Sequence, residues 1–482
     1  MLTYTLEKKP GVPLYEALYR CIRADILSGK LAPNQKLPSK RALAQNLEVS
    51  KITVEGAYEQ LLCEGYIRSR EKVGYFVEAV AQAKRPVPEV AAPEQARQFL
   101  LDLTANSCPD FPFTVWSSLQ RQVMLDLSRR LLRELPNCGL WELRRAIAQH
   151  LAGFRGMQVD PENILIGAGT DFLYNLLIQL LGRDKVYAVE EPGYGKIRKI
   201  YAAGGVACVS AGMDSFGVSV ESLDGAQVLH ISPSHHFPSG LVTPLHRRRQ
   251  LIDWALAGED RYIIEDDYDS EFRFDAHPMP TMASLDTGGR VIYMNTFSKT
   301  LASSIRISYM VLPPALMAEF QRRLGFYSCT VPSFEQYTLA RFLEGGYFEK
   351  HINRMRRAYQ QRRNALVTML RQSGLPLKIL EQDAGLHFLV QVDTDLSDAQ
   401  LEQLLARQGV KVAALGSYYH GDAPRNTHCL VVNYSGLTEE NLQKLGTLLK
   451  EWTTDNGNTD PSTRLRLAQD DRGETIPGGQ GQ

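Results

Sequence analysis

The sequence has no long hydrophobic run, no net charge and no regular cysteine spacing. No stretch approaches the roughly 18 apolar residues of a membrane-spanning helix, and residues 1–11 lack the apolar core of an export signal. Basic and acidic residues number 54 each, so contact with nucleic acid requires local basic patches. The seven cysteines form no Cys-x-x-Cys pair, which argues against disulfides and zinc. We expect a cytoplasmic protein with reduced thiols, no membrane contact and no metal.

With 482 residues, of which 44% are hydrophobic, the chain is too long for one ordinary core. A small domain is expected over residues 10–78 and a large one over residues 99–452. Residues 79–98 between them are rich in alanine, proline and polar side chains, which is typical of a linker. The polar residues 453–482 are predicted to form a disordered tail.

The small domain has the pattern of a winged helix-turn-helix. Apolar residues recur at helical spacing over 13–27, and Ser39 and Ser50 are each placed to cap a following helix. Two short β-prone runs, 66–68 and 74–77, then predict the hairpin of a wing. A helix that begins at Ser50 could enter the major groove of DNA. The alternative is a helical subdomain that contacts proteins, with its charges on solvated faces.

The large domain alternates amphipathic helices with short apolar strands, which predicts a mostly parallel sheet covered on both faces. The strands are expected at 164–166, 186–189, 228–231, 262–264 and 291–293, and helices at 140–154, 170–181 and 244–257.

Lys299 lies in a Ser-Lys-Thr turn directly after a predicted strand, and Arg306 follows seven residues later. A reactive amine and a phosphate-binding cation would therefore lie together. Pyridoxal 5'-phosphate (PLP) needs a lysine for its Schiff base, a carboxylate at its ring nitrogen, a donor to its phenolic oxygen and a phosphate site. The sequence offers all four, with Lys299 as the catalytic and cofactor-binding lysine.

The other PLP ligands are predicted from their positions at the ends of strands. Asp266 and Tyr268 follow an apolar strand and would bind the ring nitrogen and the phenolic oxygen. Gly169 and Thr170 separate a strand from a helix, so their N–H groups can hold phosphate. Tyr194 can stack on the cofactor ring. The phosphate site would be completed by Thr296, Ser298 and Arg306.

Each segment alone has a simpler explanation. An isolated Ser-Lys is more often a surface lysine, and Asp266 with Asp267 could be a solvated loop pair or a helix cap. His235 and His236 are better explained as hydrogen-bonded loop residues than as metal ligands, because no matching ligand spacing is present. The prediction therefore depends on the ordered occurrence of all the segments together.

Two sets of motifs resemble known families. Residues 31–67 resemble the GntR-type winged helix in the order of Leu-Pro-Ser-x-Arg, Leu-Ala, Val-Ser-x-x-Thr-Val and Glu-Gly-Tyr. GAGT, EEPGYG, SPSHHFPSG, EDDYDSEFR and TFSKTLASSIRISYMVLP resemble the fold-type-I aminotransferase domain. Together, over residues 10–450, they resemble the MocR/GabR regulators. The resemblance implies a multidomain chain: an α+β winged helix-turn-helix, then an α/β PLP-dependent transferase of fold type I with a mostly parallel sheet and a small C-terminal α+β subdomain.

The resemblance also implies partners: a double-stranded DNA operator with repeated half-sites, and a second copy of the chain in a head-to-tail homodimer. Lys51 stands where the family often has arginine, and an ammonium group lacks the planar fork that reads a base edge with two bonds. The DNA-contacting positions that the resemblance implies are Ser39, Arg41, Ser50, Lys51, Thr53, Arg70 and Lys72.

Two positions depart from the aminotransferase pattern. Phe237 stands where aminotransferases usually have the asparagine that holds the phenolic oxygen of the cofactor, and Val431 where they usually have the arginine that binds a substrate carboxylate. The expected function is thus a PLP-binding transcription regulator whose aminotransferase-like domain senses PLP, or an amine that exchanges onto Lys299, and controls the winged helices. Regulation of vitamin B6 metabolism is one hypothesis for its target. The alternative is an active aminotransferase with an accessory DNA-binding domain.

Overall fold

The structure, a computed structural model, describes residues 2–4, 6, 13–79, 99–105, 110–272, 279–380, 385–420 and 426–454. The chain divides into two units, Met1–Arg97 and Gln98–Gln482. Of the expected linker, residues 79–98, the structure describes only Ala79. Of the expected tail, residues 453–482, it describes only Thr453 and Thr454, which end a helix and are therefore ordered in it.

The described part of the smaller unit contains three helices and one hairpin. These elements are α1 (Leu14–Leu27), α2 (Lys40–Asn46), α3 (Lys51–Cys63), β1 (Ile67–Arg70) and β2 (Gly74–Val77). The two strands are antiparallel, with Ile67 opposite Val77. Leu18, Ile22 and Leu61 are buried in a core of their own, as the helical spacing of apolar residues predicts. The unit is the predicted winged helix-turn-helix.

The larger unit contains the remaining elements. Its helices are α4 (Phe113–Leu127), α5 (Trp141–Arg155), α6 (Thr170–Leu181), α7 (Gly195–Ala203), α8 (Leu245–Leu256), α9 (Met282–Leu285), α10 (Pro314–Leu324), α11 (Ser333–Glu344), α12 (Tyr347–Gln372), α13 (Asp398–Arg407) and α14 (Glu439–Thr454). Short 3-10 helices are Ser128–Leu132, Pro161–Asn163, Val220–Leu223 and Leu415–Tyr418. Its strands are β3 (Leu101–Asp102), β4 (Ile164–Gly167), β5 (Val186–Glu191), β6 (Ala207–Asp214), β7 (Gly217–Val218), β8 (Val228–Ile231), β9 (Tyr262–Asp266), β10 (Val291–Thr296), β11 (Ser308–Val311), β12 (Leu377–Leu380), β13 (His387–Val392), β14 (Val410–Lys411), β15 (Ala413–Ala414) and β16 (Cys429–Asn433).

The central sheet has eight strands in the order β4-β11-β10-β9-β8-β5-β6-β7. The neighbours from β10 to β6 are parallel, whereas β11 is antiparallel to both β10 and β4. Ile263 and Ile264 are adjacent on β9 but are buried in two different cores, because successive side chains of a strand point to opposite faces. Helix α6 contributes Leu173 to one core and α8 contributes Leu251 to the other, so both faces are covered.

The C-terminal part of the larger unit is a small α+β subdomain. Its antiparallel sheet has the order β12-β13-β16-β15. The early strand β3 joins this region through a parallel pair with β14, in which Leu101 lies opposite Val410. Both parts of the α/β prediction, the mostly parallel sheet and the smaller subdomain, are confirmed. Within the described ranges, no helix combines the length and the apolar character needed to cross a membrane.

Candidate functional site

A cavity of about 240 Å³ opens where β5, β8, β9 and β10 end. The carboxyl ends of parallel strands are where ligands bind in open α/β sheets. Gly169 does not line the cavity, but its backbone lies against the guanidinium of Arg306. The other predicted cofactor residues all line the cavity: Thr170, Tyr194, Asp266, Tyr268, Thr296, Ser298, Lys299 and Arg306.

Lys299 lies in the turn that follows β10. Burial lowers the pKa of its amine below the ordinary value, although Asp269 and Asp266 act in the opposite direction. A lowered pKa increases the fraction of neutral amine, and only the neutral amine is nucleophilic. Lys299 therefore has the environment of a reactive lysine.

Asp266 ends β9 and is 6% exposed. It accepts a hydrogen bond from the Tyr174 hydroxyl, and the His230 Nε2 atom lies 3.5 Å from its Oδ2. Burial, together with this carboxylate, raises the pKa of Tyr174 well above its ordinary value, so the hydroxyl remains a donor. The other oxygen, Oδ1, is buried and has no hydrogen-bond partner among the residues that the structure describes. A protonated ring nitrogen would satisfy it.

The neighbouring Asp267 has a different environment. Its Oδ2 lies 2.9 Å from Arg155 Nη2 and accepts a 2.8 Å hydrogen bond from the Tyr293 hydroxyl. Burial would raise the pKa of Asp267, but the guanidinium of Arg155 and these hydrogen bonds hold the pKa below its usual range. Because Asp266 and Asp267 are both buried, the explanation of a solvated loop pair is wrong.

The phosphate side of the cavity combines a helix N-terminus with two cations. Thr170 begins α6, whose first N–H groups have no partner within the helix. Arg306 Nη2 and Lys196 Nζ lie 3.4 and 2.7 Å from the same atom, Asp171 Oδ2. The Ser298 hydroxyl is buried without a hydrogen-bond partner among the described residues. These groups can bind a dianion.

Aromatic rings form another wall. Tyr194 is 51% exposed, and its ring packs edge-on against that of Phe237, with 5.9 Å between the ring centroids. The Phe237 ring also packs against the rings of His387 and Tyr418, with a centroid separation of 5.1 Å in each pair. Tyr268 reaches the cavity, but its hydroxyl donates to the carbonyl oxygen of His235 at 3.0 Å. Its bond to a phenolic oxygen therefore stays a prediction.

The two loop histidines have partners of their own. His235 Nδ1 lies 2.8 Å from Asp269 Oδ2, and His236 Nδ1 lies 2.7 Å from Ser239 Oγ. Across the described ranges, His, Cys, Asp and Glu side chains form no group of three or more that could hold a metal ion.

Val431 lies in the middle of β16, opposite Leu389 of β13 and Ala413 of β15. It is 3% exposed and does not line the cavity. The structure thus has an apolar core residue where the aminotransferase pattern has the carboxylate-binding arginine.

Sequence reasoning missed ten of the polar residues that line the cavity. Two had detectable signals: Tyr174 follows Thr170 by one helical turn and so shares its face, and His230 is the polar residue of the apolar strand VLHI. Nothing local distinguished Lys196 or Glu190. The missed polar residues that line the cavity are Asp171, Tyr174, Glu190, Lys196, Arg198, His230, Ser232, Ser303, His420 and Ser435.

In the smaller unit, both predicted serines are helix caps. Ser39 Oγ accepts from the N–H of Ala42, and Ser50 Oγ accepts from the N–H of Thr53, each at 3.1 Å. Capping of this kind stabilises a helix by about 1 kcal/mol. The DNA-contacting role of the two serines remains a prediction.

The other predicted DNA contacts lie on two helices and in the wing. Arg41 and Lys51 are exposed near the starts of α2 and α3, and Thr53 is half-buried. Arg70 ends β1 with its guanidinium 5.1 Å from the centre of the Phe76 ring, and Lys72 lies in the turn that follows. The predicted DNA-contacting residues therefore all lie in the smaller unit, on two helices and the wing, and their contact with DNA remains a prediction.

Two protein-family models match the chain. Aminotransferase class I and II matches residues 99–447, and bacterial regulatory proteins, gntR family, matches residues 14–77. The HTH-type transcriptional regulator YdeL of Bacillus subtilis is 34% identical over 92% of this chain and 97% of its own length. The chain belongs to the MocR/GabR family of transcriptional regulators.

Two relatives of this MocR/GabR regulator have more specific names. The probable rhizopine catabolism regulatory protein MocR of Rhizobium meliloti is 30% identical over 91% of this chain and 93% of its own. The HTH-type pyridoxine biosynthesis transcriptional regulator PdxR of Corynebacterium glutamicum is 31% identical over 84% of this chain and 88% of its own.

Solved aminotransferases share the fold of the larger unit of this MocR/GabR regulator. The kynurenine aminotransferase of Pyrococcus horikoshii has a TM-score of 0.64 and 23% identity, and covers 77% of this chain and 91% of its own. The cofactor of this domain class is PLP. The residues present fit it: a buried lysine with a lowered pKa, a buried carboxylate oxygen that no described residue satisfies, and two cations at a helix N-terminus. Bound PLP supplies an aldehyde and an electron-accepting ring.

Proposed function

We propose that PLP, or an amine that exchanges onto Lys299, is the effector of this regulator and changes its affinity for an operator. The winged helix-turn-helix, residues 10–78, would bind double-stranded DNA in the cytoplasm, and residues 99–452 would sense the ligand. Coupling requires that the ligand bind the conformations with high and low DNA affinity unequally.

One contrast in the larger unit carries this proposal. The residues around Lys299 and Asp266 have the chemistry that PLP requires, whereas Val431 is a buried apolar residue where the aminotransferase pattern has the carboxylate-binding arginine. A site that retains its cofactor residues and has valine in place of the arginine of the pattern is better suited to sensing than to turnover.

The direct test measures the operator affinity of the full chain with and without PLP. The operator would be selected from the chain's own genome. We expect PLP to change the affinity of the wild type and to leave that of Lys299→Ala unchanged. Lys378→Ala, an exposed lysine on β12, is the matched control and should respond like the wild type. Equal responses of the wild type and Lys299→Ala would refute the proposal.

An active aminotransferase is the second candidate, and the lowered pKa of Lys299 supports it. One assay distinguishes ligand sensing from transamination: the PLP-saturated chain is mixed with a panel of amino acids and a keto acid acceptor. Sustained keto acid production would establish turnover, whereas a single spectral change without product would indicate ligand exchange alone.

Vitamin B6 metabolism is the target that we propose for regulation, because the relative PdxR bears the name of a pyridoxine biosynthesis regulator. Genome-wide mapping of the bound chain tests this. Occupied sites upstream of PLP-producing enzymes would support it, and their absence among the strongest sites would exclude it.

We also propose a head-to-tail homodimer. In the part of the larger unit that the structure describes, four large apolar side chains are more than 70% exposed, which is unfavourable in water unless another surface covers them. They are Phe113, Leu125, Leu132 and Phe326. Light scattering of the full chain should give twice the 54.1 kDa mass of one chain, and a single-chain mass at micromolar concentration would contradict the proposal.

A further inference from the structure

Ile52 is an exposed apolar residue at the start of α3. It is 79% exposed, compared with 40% for Tyr15, 41% for Leu27 and 51% for Val73 in the same unit. Val54, two residues further along, is fully buried. Ile52 therefore contributes nothing to the core of the winged helix-turn-helix.

The polar side chains beside Ile52 are engaged within the unit. Ser50 Oγ accepts from the N–H of Thr53 and lies 2.8 Å from the Thr53 hydroxyl. One turn later, the carboxylate of Glu55 accepts a 2.7 Å hydrogen bond from Lys40, which offsets a charge that would repel phosphate. The side chains that remain to face a ligand in this first turn are Lys51 and Ile52.

A base edge in the major groove offers one apolar group, the C5 methyl of thymine. We infer that Ile52 contacts the methyl group of a thymine in each operator half-site and thereby contributes sequence specificity, while Lys51 supplies charge. The inference rests on the proposed function, because it requires that α3 enter the major groove. Isolated exposed apolar residues are common on protein surfaces, so the test must detect the methyl contact itself.

The test uses the full chain, a pool of random duplexes and the consensus duplex selected from it. Each thymine of the consensus is replaced in turn by uracil, which removes the methyl group and leaves the hydrogen-bonding pattern unchanged. Affinities are measured for the wild type and for Ile52→Ala. Burying one methyl-sized group contributes about fourfold in affinity. At one thymine of each half-site, uracil should weaken the wild type by about that factor and leave Ile52→Ala unaffected.

Leu27→Ala is the matched control, because Leu27 is also an exposed apolar residue of the same unit and lies at the far end of α1. It should keep the wild-type response to every uracil. If the consensus duplex is bound but no uracil effect depends on Ile52, the inference is wrong and operator binding stands. If no duplex is selected, the proposed function fails as well.

Discussion

The guanidinium of Arg306 occupies the space that a side chain at Gly169 would need. A Cβ atom at position 169 would lie 2.1 Å from Arg306 Nη2, and Gly169 has a φ of +89°. The glycine thus allows the cation to approach the N-terminus of α6, where the phosphate is expected.

Gly169→Ala should therefore weaken PLP binding by about tenfold or more, because a displaced arginine loses a charge-assisted hydrogen bond of about 1.5–3 kcal/mol. Titration of the absorption band of bound PLP measures this. Gly156→Ala is the control: its φ is +66°, but a Cβ atom there meets nothing within 4 Å. Similar PLP affinities for the two variants would contradict the proposed role of Arg306.

Adjacent carboxylates should respond differently to the same substitution. Asp266→Asn should weaken PLP binding with little change in stability, because an amide cannot neutralise a protonated ring nitrogen. Asp267→Asn should lower the free energy of unfolding by about 3–5 kcal/mol, since it leaves the buried Arg155 charge without its partner. Urea unfolding and PLP titration of both variants provide the comparison. If Asp267→Asn weakens PLP binding and Asp266→Asn lowers stability instead, Asp267 is the partner of the ring nitrogen.

Stability should fall as pH rises through the range in which Glu190 ionises. Burial raises the pKa of Glu190 from 4.5 to about 8, so the unfolded chain releases this proton at lower pH than the folded chain does. The contribution of this group is fully present below pH 4.5 and is lost by about pH 8. Glu190→Gln cannot ionise, and its stability relative to the wild type should rise from pH 5 to pH 9.

Urea midpoints at several pH values test this dependence. Glu134→Gln, at an exposed position, should follow the wild-type curve. If Glu190→Gln also follows it, the Glu190 carboxyl is ionised in the folded chain.

The wing turn should affect DNA binding in a salt-dependent way. Lys72→Gln should reduce the slope of log affinity against log salt concentration by about 0.9, the value for one lost phosphate contact. Lys30→Gln is the control, because Lys30 is exposed and lies 3.2 Å from Asp25. An unchanged slope for Lys72→Gln would place the wing away from the DNA backbone.

Much of the cofactor site was predictable because its residues follow strands. Apolar runs identified β9 and β10 but ended each prediction too early: β9 continues to Asp266 and β10 to Thr296. A polar residue ends the hydrophobic pattern in the sequence, yet its backbone can still form the hydrogen bonds that pair one strand with the next. The pairs Asp266 with Tyr174 and Asp266 with His230 depend on strand order, which hydrophobic periodicity does not encode. No strand was predicted at β11, and its antiparallel direction also depends on strand order.

The pairing of β3 with β14 sets an order of events during synthesis on the ribosome. Asp102 and Lys411 are 309 positions apart. Strand β3 therefore cannot pair with β14 until most of the chain has left the exit tunnel. The smaller unit closes its own core through contacts that are near in sequence, long before that. A nascent chain can thus complete the winged helix-turn-helix before the larger unit is closed, and a product truncated by stalling would contain the first without the second.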